Sequence, residues 1–85
     1  MKAIIFARGM DREQQAEICS EYAATNDIKI IGIESEWNRV EQYVYNMKID
    51  VIIIPDPTVV SQGMIEYLTI EDNLSKFDVK IIAVK

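Results

Sequence analysis

Histidine is absent from this 85-residue chain. That absence removes the side chain that ordinarily moves protons near neutral pH, and every Ser-His or Cys-His mechanism within the chain goes with it. A single cysteine, Cys19, excludes an internal disulfide, and without histidine a zinc site has almost no ligands to draw on. No metal and no cofactor are therefore expected. Long apolar runs are missing too: Val51 to Ile54 and Ile81 to Val84 are strand-sized, against the ~20 residues of a membrane span. The first residues lack the charged, apolar and small-residue regions of a signal peptide, so a cytoplasmic location is the default expectation. Positive charge is in the minority, with nine Lys and Arg against fourteen Asp and Glu and a net charge of -5. DNA binding by phosphate neutralisation needs clustered cations. Here Lys2, Arg8, Arg12, Arg39, Lys48 and Lys80 are scattered between acids. Direct DNA binding by this domain alone is disfavoured.

What is present is a globular composition, 49% hydrophobic, in one small domain over residues 1–85. Ala3 to Ala7 is a continuous apolar run and reads as a strand buried on both faces. Asp11 is a good helix N-cap, and Gln14 three residues on makes a capping-box-like pair. Ala16, Cys19, Tyr22 and Ala23 recur at helical spacing, and Asn26-Asp27 stops that helix. Ile28 to Ile33 is the second strand, with Gly32 permitting close backbone approach. Ser35 is the expected cap of a second helix whose stripe is Trp37, Val40, Val44 and Met47. Val51 to Ile54, wholly branched, is a central third strand. Pro55-Asp56-Pro57-Thr58 forms a stiff loop. A last helix is expected from Ser61 to Lys76 with Met64, Ile65, Leu68 and Leu74 inward, and Val79 to Val84 is the fourth strand. Strands alternating with helices mean βαβ units and right-handed crossovers. The expected architecture is three-layer α/β: a four-stranded, mainly parallel sheet in the order 2-1-3-4, flanked by three helices.

Three stretches carry a resemblance. Phe6-Ala7-Arg8-Gly9-Met10-Asp11 followed by Gln14, then Glu21-Tyr22-Ala23-Ala24-Thr25-Asn26, then Lys48-Ile49-Asp50-Val51-Ile52-Ile53-Ile54 fall in the pattern of the serine recombinase (resolvase/invertase) catalytic domain. The joint spacing, more than any one motif, resembles that family over nearly the whole chain. The resemblance implies a resolvase-like fold and, position by position, sets Arg8 at an active-site arginine, Gln14 at the helix glutamine and Asp56 at the loop aspartate. Met10 falls at the nucleophilic serine, and Pro57 and Val60 at two loop arginines. The family's reaction needs a serine to attack a DNA phosphodiester while arginines neutralise the charge building on phosphorus. Met10, Pro57 and Val60 supply neither. The family domain continues beyond its fourth strand into a long dimerisation helix and a DNA-binding module. Lys85 ends this sequence before either, so a fragment or a minimal relic is expected.

The implied role is non-catalytic: a recombinase-like domain acting in DNA recombination through a homo-oligomer or a related recombinase, with Met47, Met64 and Tyr67 as candidates for an oligomer surface. The alternative is a small anion- or nucleotide-binding module using Arg8. Against it, Asp11 as N-cap would occupy the helix amides, and Arg8 is expected to pair with Asp56 or Asp11. A residual phosphoryl-transfer enzyme using Asp56 or Ser61 is the third reading. A receiver-type phospho-acceptor role for Asp56 lacks the acidic pair that would hold magnesium after strand one, where Ala7-Arg8 stands. Cys19 is expected to be a buried structural thiol. Glu66, Glu71 and Asp72 read as a solvated helix face.

Overall fold

Branched residues at every position make Val51–Ile54 suited to a strand covered on both faces, and all four side chains are buried. Around it the chain runs β1 (Lys2–Phe6), α1 (Arg12–Thr25), β2 (Lys29–Glu34), α2 (Trp37–Tyr45), β3 (Val51–Ile54), a 3-10 turn (Pro57–Val59), α3 (Met64–Ser75) and β4 (Lys80–Ala83). The computed structural model describes residues 1–61 and 63–84. The sheet order is β2-β1-β3-β4 and every pairing is parallel. The expected architecture and order are those observed, with the sheet wholly rather than mainly parallel.

Alternation along the central strands divides the core in two. Ile4, Phe6, Ile52 and Ile54 face Val40, Val44 and Leu74 of α2 and α3. Ala3, Ile5, Val51 and Ile53 face Cys19 and Ala23 of α1. Phe6 meets Trp37 edge-to-face at a centroid distance of 5.1 Å. Gly32 of β2 lies where a Cβ would stand 2.9 Å from the Tyr43 hydroxyl, so what approaches it is a side chain and not the backbone expected there.

All three helices end in the same device. Asp27, Met47 and Asp78 take positive φ of 57°, 56° and 59°. The next amide in each case bonds five residues back, Ile28 to Ala23, Lys48 to Tyr43 and Val79 to Leu74. These are Schellman endings built without glycine. Met47 thereby leaves the stripe proposed for α2: it sits past the helix end, exposed.

Three further expectations need correction. Asp11 occupies the N-cap position of α1 but makes no capping bond, because its carboxylate is taken by the Gln15 side chain. Glu36, not Ser35, is at the N-cap of α2. Helix α3 begins at Met64 with Gly63 at the N-cap, position 62 lying outside the described residues. Its inward stripe is Tyr67, Ile70 and Leu74, and Met64, Ile65 and Leu68 are exposed. The sequence offers two apolar stripes on this helix, offset by about 100° per residue. The one that includes Tyr67 and Leu74 packs on the sheet.

Candidate functional site

Parallel strands deliver their carboxyl ends to one rim of the sheet, and the two loops that leave the central strands meet there. Continuing the register that pairs Ala3 with Val51 and Ile5 with Ile53 brings Arg8 level with Asp56. The structure therefore gathers Arg8 and Met10 on the β1–α1 turn and Asp56, Pro57 and Val60 on the β3–α3 loop at the same rim. Gln14 lies exposed on the first turn of α1.

The β1–α1 turn is shaped by two features. Ala7 is buried, and its amide extends the ladder to the Glu34 carbonyl at 3.1 Å. Gly9 then takes φ +94°, a left-handed conformation that side chains rarely adopt, and so turns the chain out of the sheet. A glutamine clasps this turn. The Gln15 Oε1 accepts from the Arg8 amide at 3.2 Å, and its Nε2 donates to the Arg8 carbonyl at 2.9 Å and to Asp11 Oδ1 at 2.7 Å. Gln15 was missed from sequence. Its signal was the four-residue spacing from Asp11, which sets the two side chains together on a helix.

The β3–α3 loop is held as tightly. Pro55 is buried, Asp56 is extended, and Asp56 Oδ1 accepts from the Thr58 amide at 2.8 Å and from the Thr58 hydroxyl. Pro57 opens the 3-10 turn at a position suited to its fixed φ. Val60 is half-buried against the α2–α3 side of the core. At this loop the two positions matched to arginines therefore hold a backbone constraint and a packing residue.

Among the described residues the expected pairing of Arg8 with Asp11 does not form, and Asp56 has contacts beyond those to Thr58. Among the described residues the ion pair is Arg39 with Glu36, at 3.6 Å on exposed surface. Met10 is fully exposed. Beside the turn a shallow cleft of about 280 Å³, lined by Ala7, Arg12, Glu13, Ala16, Ile33, Glu34 and Ser35, mixes one cation with two acids. Among the described residues no His, Cys, Asp and Glu cluster could hold a metal ion.

Cys19, the one thiol, is buried between α1 and the sheet, and burial pushes its pKa up to about 11. Thiolate chemistry is thereby suppressed, as a structural thiol requires. Tyr67 is also shifted up, by burial and then by the Glu71 charge. Both shifts keep these groups protonated at neutral pH.

No protein-family model matches the chain, and no curated protein is similar to it in sequence. Solved structures are similar in fold. The C-terminal catalytic domain of ISC1926 TnpA, an IS607-like serine recombinase, superposes with a TM-score of 0.90 at 22% identity, over 100% of this chain and 70% of that one. The N-terminal catalytic domain of TP901-1 integrase gives 0.87 at 15% identity, over 99% and 77%. A resolvase-family site-specific recombinase from Streptococcus pneumoniae gives 0.87 at 16% identity, over 99% and 72%. The fold is thus that of serine recombinase catalytic domains.

Proposed function

We propose that this resolvase-like domain does not cut DNA and works in DNA recombination through protein contacts, as an oligomer or as the partner of a related recombinase. The observation that carries the reading is the composition of the strand-end rim. There Met10 stands exposed where the family's pattern has its nucleophile, and Pro57 and Val60 stand where it has cations. A thioether can neither attack phosphorus nor take a proton, and one arginine leaves most of a pentavalent phosphorane's charge unmatched. The net charge of -5 opposes a stable complex with DNA in the absence of another protein. Apolar side chains exposed on α3 favour a role in association.

The test is light scattering or sedimentation at micromolar concentration, with and without an intact serine recombinase. Self-association or co-sedimentation is expected. A strict monomer that binds no such recombinase removes the proposal.

A second reading is favoured by one observation. Asp11 does not cap α1, so among the described residues no side chain bonds the first-turn amides of that helix, which begins four residues after Arg8. An anion-binding module would use these groups. Phosphate or nucleotide titration that shifts no amide between Gly9 and Gln14 excludes it.

A further inference from the structure

Helix α3 buries one apolar face and leaves a second one open. Tyr67, Ile70 and Leu74 turn to the sheet, whereas Met64, Ile65 and Leu68 are 78, 83 and 54% exposed. Spacings of three and four residues set Ile65, Leu68 and Asp72 in one row and Met64, Leu68 and Glu71 in the adjoining row. The apolar ridge of the first turns thus runs directly into two acids. Glu66 adds a third; Met64 to Ser75 contains no lysine or arginine, and the nearest cations are Lys76 at the C-cap and Lys80, which shares a cleft with Glu71 and Asp72.

Whatever covers this face must bring apolar side chains to one half and positive charge to the other. A second copy fits poorly, because it brings the same acidic helix from a chain of net charge -5. Like charges would then meet across a ridge only three side chains large. We infer that α3 is the docking surface for an amphipathic helix of a second, basic protein. The partner's apolar residues seat on Met64, Ile65 and Leu68, and its lysine or arginine side chains meet Glu71 and Asp72. The order of charge also suits the α3 dipole, whose negative end lies toward Ser75. This rests on the reading of the domain as a protein-contact module, and it specifies the surface and the partner. Lysine- and arginine-rich segments are the composition of proteins that bind DNA.

Three synthetic helical peptides with one leucine ridge, flanked by lysine, glutamine or glutamate, are the probe. They are titrated into the intact chain while backbone amide shifts and heat are recorded. The lysine-flanked peptide is expected to bind best, to shift amides of Met64–Ser75, and to weaken as salt is raised. Leu68→Ser with Ile65→Ser, and separately Glu71→Gln with Asp72→Asn, should each weaken it tenfold or more. Ile65, Leu68 and Asp72 are exposed and Glu71 half-buried, so circular dichroism should show an intact fold. Ile18→Ser, at an exposed apolar site beside Glu17 and Glu21 on α1, should leave binding unchanged.

Equal binding of the three peptides, or binding indifferent to the α3 substitutions, overturns the inference. Self-association that Leu68→Ser abolishes also overturns it, while leaving the protein-contact reading intact. A monomer that binds neither peptide nor recombinase overturns both.

Discussion

Gln15 is the residue on which the strand-end rim depends most. Its amide satisfies both backbone groups of Arg8 and one oxygen of Asp11, although the site is exposed to water. Gln15→Ala should cost about 1 kcal/mol in urea unfolding, given ~0.5–1.5 kcal/mol net per hydrogen bond and solvent to replace some of them. Gln14→Ala should change the midpoint little. Cys19 gives a pH prediction with a fixed sign. Its folded pKa of about 11 lies above the ordinary thiol value of 9.0, so the folded chain holds a proton that the unfolded chain releases. Stability should therefore fall as pH rises through the interval from about 9 to 11, and Cys19→Ala should flatten that part of the profile. A thiol reagent at pH 8 should label Cys19 at the rate of unfolding and not before. The exposed Met10 needs a different experiment. Met10→Ser restores a hydroxyl without restoring cations at Pro57 and Val60, so no covalent adduct with labelled DNA is expected on a denaturing gel.

Among the elements, helix endings are the most open to improvement. Met47 holds φ 56° with its side chain in solvent, so nothing is lost with the side chain itself. A left-handed non-glycine residue costs ~1 kcal/mol, and Met47→Gly should raise the unfolding free energy by about that amount. Gly32→Ala should lower it by up to ~1 kcal/mol by pushing Tyr43 off Glu34, and the double variant with Tyr43→Phe should lose less than the sum. Elements also show what a sequence can and cannot reveal here. The strands were legible because unbroken branched runs such as Val51–Ile54 have one physical solution, burial on both faces, and alternating helices then dictate a parallel sheet. Helix α1 was legible because Cys19 and Ala23 fall on a single stripe. Helix α3 was not, since its sequence carries two apolar stripes and only packing against β3 and β4 selects Tyr67, Ile70 and Leu74. Caps were hard for a related reason. Whether Asp11 bonds an amide or Gln15 depends on differences smaller than pattern reading resolves. At the rim, the resemblance sets Arg8, Met10, Asp56, Pro57 and Val60 in one constellation, and the β1 and β3 loops that carry them leave adjacent strands. Pattern reading missed the Gln15 clasp on the Arg8 backbone.

For the molecule as a whole, charge and shape pull in the same direction. A domain of net charge -5 whose cations are scattered between acids should fail to retard duplex DNA at ~100 mM salt in a gel-shift assay. Its stability rests on a small core, so truncation at the centre is severe: Ile53→Ala, at a fully buried site between β1 and β4, should cost ~2–5 kcal/mol. That is a large share of what a small domain possesses, and the variant should be substantially unfolded at 37 °C by circular dichroism. The strand order has a consequence for the chain's birth. Strand β1 precedes both of its neighbours in sequence and is an inner one, flanked by β2 and β3. Its partners at Lys29–Glu34 and Val51–Ile54 are synthesised much later, so the nascent chain presents Ala3-Ile4-Ile5-Phe6 unpaired while translation proceeds. Strand β1 is thus made before either strand that encloses it, and a chaperone that shields short apolar segments near the exit tunnel would find its substrate there.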